Sequence, residues 1–455
     1  MLLRLLHKEM LSHVLSLRFA VAFVIVCVVV IGSFYLTNIE YRGWSAEYAA
    51  RQRRYGDRTR EIFKEQWPNT RAWRLFRDEG TGHAVLDPPM AAVAQGLTPA
   101  LPAAIGVTRG GWTNVDRNAS RNPLLGLYQA PDFVYVVGIV MSLLAVLFMF
   151  DAVCGEKEAG TLRLMLASGV ARHEVLLSKW LAGCVVLWAP FLVATGAGVG
   201  YIWASGTLNM TGDHVIRLGL LILAALSYIA LFVTFGLFVS TSVPRPVTAL
   251  FIGLFVWVVW VMVLPNMTPM IAKLIAPTPS ARKIAAEKQA VDDELDMQTQ
   301  RLEIAMTGDD FNVQMENLAH QREQRKAQWD RFLEQAEQSQ NRWSQGLARI
   351  SPLGSWVYAS TGAAQTGPDA YQRFEQARQR LVQVTRTIDQ QYWQTWESTG
   401  EPPSLSPEDL PKLDITLPGV DETIDASLQD LLIVAIWTAA FFLASFVLFL
   451  RYDVR

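Results

Sequence analysis

Residues 150–180, FDAVCGEKEAGTLRLMLASGVARHEVLLSKW, join two apolar runs that carry almost no charge. The acidic pair Glu156 and Glu158 precedes a short stretch, Thr161–Ala167. Within it Leu162, Met165 and Leu166 fall at i, i+3 and i+4, the spacing of one helix face. Two readings fit: an ordinary charged loop between two spans, or an amphipathic element on which a partner at one membrane surface can push.

Working outward, the flanking runs set the fold class. The chain is 51% hydrophobic and 18% charged, against about a quarter charged in a soluble protein. The apolar residues gather into six runs: Arg18–Leu36, Asp132–Phe150, Leu181–Trp203, Val215–Ser240, Val247–Leu264 and Leu431–Leu450. Runs of about 20 such residues span a bilayer as helices. The first is read as a retained span, because its core, Phe19–Phe34, is long for a leader and no A-x-A-like site follows. A polytopic α-helical membrane protein with six transmembrane helices is expected.

Short loops set orientation through Lys and Arg. Arg4, Lys8 and Arg18 lie before or at the start of the first run, and Lys157, Arg163, Arg172 and Lys179 lie in the loop quoted above. Arg245 lies between the fourth and fifth runs, and Arg451 and Arg455 follow the last, while Ala204–Asp213 has no Lys or Arg. Both termini are therefore expected in the cytoplasm. The chain divides into an interfacial helix with the first span (1–36), a first external segment (37–131), span two (132–151), the cytoplasmic loop (152–180), span three (181–203), a short external loop (204–214), span four (215–240), a cytoplasmic turn (241–246), span five (247–264), a second external segment (265–430), and the last span with its tail (431–455).

The first external segment opens with a polar, Arg-rich helical stretch, Trp44–Gln66, and continues through a Pro- and Gly-punctuated region, with strands expected at His83–Leu86 and Ala103–Val107. A small α+β lobe follows from this. The second segment is mainly helical. Ile284, Val291, Leu295, Leu302 and Met306 form a heptad-like seam, Thr307–Asp310 reads as the turn of a helical hairpin, and Phe374, Leu381 and Ile388 mark a further helix. The seam either packs within the hairpin or meets another subunit. Neither external segment contains a cysteine, which excludes a disulfide or a Cys-type zinc site there.

Several motifs are absent. No Gly-Lys pair occurs, so there is no P-loop and the chain does not hydrolyse ATP by that device. H-E-x-x-H and G-x-S-x-G are also absent, and no two of the six histidines share metal-ligand spacing on one helix. His7 and His13 read as surface residues of the interfacial helix. The span centres carry no ionisable groups, which argues against a proton-coupled transporter. The net charge of −2 says little, because charge placement matters more, and no nucleic-acid partner is expected. Gly196, Gly198 and Gly200 form a small-residue patch that lets helices approach. Trp257 and Trp260 are candidates to line a cavity or to pack.

The run Gly155-Glu156-Lys157-Glu158-x-Gly160-Thr161-Leu162, followed by Leu164 to Leu166, Ser168, Arg172 and Lys179, resembles the ABC-2 class of export permeases. That class often has Pro after the Ser, where this chain has Gly169. Pro88–Gly96, Asn122-Pro123-Leu124, Ile350-Ser351-Pro352 and Thr366-Gly367 further resemble a bacterial subgroup with large external inserts, related to nitrous-oxide-reductase maturation permeases.

The resemblance implies a permease subunit in the bacterial inner membrane, paired with a second copy or paralogue. It implies separately encoded cytoplasmic ATPase subunits that hold ATP and Mg, with no cofactor on this chain. Thr161–Ala167 would be the coupling helix. Glu156, Glu158, Gly160, Thr161, Leu162, Arg163, Met165, Leu166 and Arg172 would be the coupling residues, with Arg163 and Arg172 pairing to acidic groups on the ATPase. Two other functions stay open. One is a mechanotransmission subunit that acts on a periplasmic partner. The other is a scaffold or membrane enzyme using carboxylates such as Asp292, Asp293 and Glu294.

Overall fold

The computed structural model describes residues 2–64, 81–85, 87–108, 111–115, 131–167, 170–305, 309–400, 406 and 408–451. Among the described residues six helices are long and apolar enough to cross a membrane: Leu17–Glu61, Phe133–Glu158, Arg172–Ala204, Gly212–Ser242, Pro246–Ile275 and Val420–Leu450.

Helix α1 (Leu2–Val14) is followed by α2 (Leu17–Lys64). Ser16 separates them, and its Oγ accepts the Phe19 N–H at 3.2 Å as an N-cap. The sequence has no proline between Leu17 and Lys64, so nothing ends the helix where the apolar run stops. The first span and the polar stretch expected from Trp44 are one helix of 48 residues. At 1.5 Å per residue it is about 72 Å long, more than twice the ~30 Å hydrocarbon core.

Strands β1 (Thr81–Ala84), β2 (Ala104–Thr108) and β3 (Gly111–Val115) form an antiparallel sheet in that order, with His83 opposite Ile105 and Ile105 opposite Asn114. The first two match the expected strands, although Leu86 lies outside the described residues. The third was not anticipated, because GWTNV shows no alternation between apolar and polar.

Asp132 caps the second span, its Oδ1 accepting the Tyr135 N–H at 2.9 Å. That span runs through Phe133–Tyr135 and a π turn, Val136–Met141, into α3 (Ser142–Met149). Two short helices follow, α4 (Cys154–Glu158) and α5 (Thr161–Ala167), and then α6 (Arg172–Ala204), α7 (Gly212–Ser242) and α8 (Pro246–Trp257). The apolar windows of spans two, three and four are 61%, 56% and 67% buried, against 28%, 22% and 11% for spans one, five and six. The middle spans are therefore the core of the bundle, and the others turn apolar sides outward. Of the three glycines late in span three, Gly198 alone is tightly packed, since a Cβ there would lie 2.2 Å from the Phe34 ring.

Residues 258–354 form a compact unit of their own. It comprises a π turn (Val258–Val263), α9 (Leu264–Ile275), α10 (Ala281–Ala305) and α11 (Asp309–Ala348). Val291, Leu295 and Leu318 form its core, with Leu302 packed against it. The heptad seam therefore packs within the hairpin. Met306, Thr307 and Gly308 lie outside the described residues. Asp292 pairs with Lys326 at 2.6 Å and Glu294 with Arg325 at 2.8 Å. Arg322 bridges Asp292 and Asp296. Two carboxylates of the acidic run are thus held in ion pairs across the hairpin.

The remaining helices are α12 (Pro352–Ala363), α13 (Pro368–Thr399) and α14 (Val420–Leu450). Phe374 and Leu381 of α13 share a core with Val85, Leu101, Ile105 and Val107. The sheet lobe is thus built from both segments between spans, because a three-stranded sheet cannot cover its own apolar face. Gly96 and Thr366 lock the two parts together. Gly96 has φ +50°, and a Cβ there would lie 2.6 Å from the Thr366 carbonyl oxygen. The Leu97 N–H donates to that same oxygen at 2.8 Å. Gly96→Ala is expected to cost about 1–3 kcal/mol through overpacking and positive φ. Faster amide exchange at Leu97 would report this, and wild-type protection would refute it.

Candidate functional site

The site is the loop from Asp151 to Lys179 together with the polar ties it makes to its surroundings. Gly160 gives it its shape. With φ +73° and open space around a would-be Cβ, Gly160 is needed for its left-handed backbone alone. It ends α4 and turns the chain into α5.

Glu156 sits at a buried junction of charges. Its Oε1 lies 2.8 Å from Lys179 Nζ, and that ammonium lies 3.3 Å from Glu9 Oε2. Lys179 is 3% exposed and Glu9 6%. Lys8 adds a more exposed cation, 3.3 Å from Glu9 and 3.8 Å from Glu156. Burial pushes the Glu9 carboxyl upward, but Lys179 and Lys8, by charge and by hydrogen bonds, overcome it and hold it below its ordinary value. Helices α1, α4 and α6 meet here. His13, expected at the surface, is half-buried with its ring 6.3 Å from Phe148, and burial holds its imidazole below the ordinary value.

The same loop reaches other helices. Arg18 Nη1 lies 2.6 Å from Asp151 Oδ2, tying in the start of α2. Ser240 Oγ accepts the Val153 and Cys154 N–H groups at 2.9 and 3.1 Å. Lys157 Nζ donates to the Thr241 carbonyl at 2.7 Å, so α4 is fixed to the end of α7. Arg172 Nη1 donates to the Phe449 and Leu450 carbonyls at 3.2 and 2.5 Å. A cation there satisfies the open end of α14 and complements its dipole. Arg172, expected to pair with an acidic group on a partner, is tied within this chain to the end of the last span.

The apolar strip read from the sequence is divided. Leu162 is fully buried, and Met165 and Leu166 are half-buried. Leu164 stands out at 74% exposure. Thr161, Arg163 and Glu158 are exposed, while Ser168 lies outside the described residues.

The profile of the ABC-2 family transporter proteins matches residues 3–454. The chain belongs to that family. It is an ABC-2 type permease, the membrane component of an ABC system and not itself an enzyme. It is a multi-pass membrane protein. Among curated proteins none matches it.

The two tryptophans singled out in span five have separate surroundings in this permease. Trp257 is 4% exposed and its Nε1–H donates to Ser142 Oγ at 2.9 Å. The Trp260 carbonyl accepts from Ser351 Oγ at 2.8 Å, which gives the Ile350-Ser351-Pro352 segment a structural role. Asn122-Pro123-Leu124 lies outside the described residues. Sequence reasoning missed Glu9 as part of the site. One signal was available: Glu9 is the only acidic residue among the first 39.

Proposed function

We propose that this chain is the transmembrane subunit of an ATP-driven exporter in a bacterial inner membrane. In this reading the loop 150–180 and both termini are cytoplasmic, two permease subunits pair, and a separate ATPase docks on α5. The carrying observation is that one short loop is tied to α1, α2, α6, α7 and α14 at once. A push on α5 cannot move the loop without straining those contacts, and packed helices respond to such strain by shifting between discrete arrangements.

The exposed Leu164 is the anchor that supports docking, inserting into an apolar groove on the ATPase as helix-in-groove contacts do. Leu162 instead holds α5 to the permease, and Glu156 fixes the junction with α1 and α6. ATP and Mg belong to the partner subunit.

Mechanotransmission is the second reading. It is favoured by Trp356, which seats α12 among the ends of the middle spans: its indole N–H donates to the Val134 carbonyl at 2.9 Å. Movement of the spans would then reach the lobe that meets a periplasmic partner.

The test is affinity purification of the permease from its native membrane, comparing wild type with Leu164→Asp. An ATPase subunit is expected to accompany wild type and to be lost, by tenfold or more, from Leu164→Asp, since a buried apolar anchor is worth about 1.5–3 kcal/mol. A permease that purifies without an ATPase, or an ATPase indifferent to this change, would overturn the proposal.

A further inference from the structure

We propose that the π turn in span two is a switchable joint that carries movement of the 150–180 loop to the sheet lobe, with Trp356 seating the lobe on that joint. The proposal rests on the loop being the ATPase-coupling element argued above.

In an α-helix the Gly138 carbonyl would accept the Ser142 N–H. Here that N–H donates to the Ile139 carbonyl instead. The Gly138 carbonyl accepts from the Tyr228 hydroxyl at 2.9 Å and from Ser142 Oγ at 2.6 Å. Ser142 Oγ in turn accepts the Trp257 indole N–H at 2.9 Å. One turn earlier, the Val134 carbonyl takes the Trp356 indole N–H at 2.9 Å. Side chains from α7, α8 and α12 therefore occupy oxygens around a turn whose hydrogen bonding departs from the α pattern.

Within a bilayer no water can replace those donors. The π register is stable while Tyr228, Trp257 and Trp356 stay in place, and the α register becomes competitive when they withdraw. Such one-turn π segments recur at functional sites. The joint also lies between the two ends that must communicate. Helix α3 leads from it directly to Asp151 and the loop. On its other side, the Trp356 ring stacks on Tyr228 at 5.7 Å and 28° and leans on Phe133 at 6.2 Å. Trp356 is 1% exposed. Helix α12 then runs from Trp356 into the lobe, where Thr366 meets Gly96 and Leu97, and where Gln365 Nε2 donates to the Pro418 carbonyl at 2.8 Å.

The experiment uses the purified permease–ATPase complex in lipid nanodiscs, with Leu97→Cys on the lobe (41% exposed) in a Cys27→Ser background. Maleimide labelling is followed without nucleotide and with ATP plus vanadate. The parent is expected to change its labelling rate about fivefold or more, while Tyr228→Phe, which keeps the ring and loses only the hydroxyl donor, and Trp356→Phe, which keeps an aromatic ring but loses the indole N–H and part of the ring volume, fall below about twofold at unchanged ATPase association. Tyr228→Phe keeps the test valid if Trp356→Phe weakens assembly. Variants that respond like the parent would overturn the joint. A parent with bound ATPase and no nucleotide response would overturn transmission to the lobe. A parent that purifies without ATPase would overturn the underlying functional reading.

Discussion

Lys179→Met is expected to destabilise the loop face by about 3–5 kcal/mol, because removing one partner from a buried ion cluster leaves the others uncompensated. Two carboxylates depend on this ammonium, Glu9 at 3.3 Å and Glu156 at 2.8 Å. Lys8 is a poor substitute, since its side chain is 57% exposed and lies 3.8 Å from Glu156. Lys8→Met should therefore cost about 0–1 kcal/mol, as exposed pairs do. The contrast is the useful part of the prediction. Amide exchange in α1 should accelerate strongly in Lys179→Met and little in Lys8→Met. Adding Glu9→Gln to Lys179→Met should recover part of the loss, since the two effects share a contact and are not additive. Equal effects from the two lysines would show that the cluster does not hold α1 to the loop.

The sequence made the spans readable because twenty uncharged residues in a row have few other destinations. It did not show where the first one ends. Past Leu36 the polar residues of α2 carry no periodic signal strong enough to distinguish a continuing helix from a new one, and no proline intervenes. The hairpin seam was readable because Val291, Leu295 and Leu302 pack on a neighbour only one turn away in the chain, at Leu318. The helix with Phe374 and Leu381 was equally visible as a helix, but its partner was not. The sheet it covers lies more than 250 residues earlier, and one chain's periodicity does not name a distant neighbour.

The site divides in the same way. Gly160 declares itself by type, because a left-handed residue between two short helices is a glycine's position. Glu156 and Lys179 stood out by motif, yet their contact with Glu9 depends on how α1 folds back on α6. The strip Leu162, Met165 and Leu166 obeyed helix spacing correctly, and the spacing alone could not say which side of α5 faces inward. Burial of Leu162 and exposure of Leu164 settle that geometry, and they move the expected docking contact by about half a turn.

Acidification should loosen the sheet lobe between about pH 6.5 and pH 4, by on the order of 2–3 kcal/mol, through His83. Burial lowers the His83 imidazole from 6.5 to about 4 in the folded chain. It lies in β1 opposite Ile105 of β2, whose side chain belongs to the lobe's core. Between these two values the unfolded chain binds a proton that the folded chain refuses, so stability rises with pH across that window. The contribution is complete above about 6.5, falls steadily below it, and is gone once pH drops through about 4. Glu9, whose carboxyl Lys179 and Lys8 hold low against its burial, sits at the α1 junction and takes no part in the lobe. The decisive quantity is the difference between wild type and His83→Phe. Amide exchange in β1 and β2 should speed up in wild type as pH falls from 7 to 5, after correction for intrinsic rates, and should stay nearly flat in His83→Phe. Parallel curves for the two proteins would mean that His83 is solvated enough to protonate within the folded lobe, and that its burial contributes nothing to the stability of the sheet.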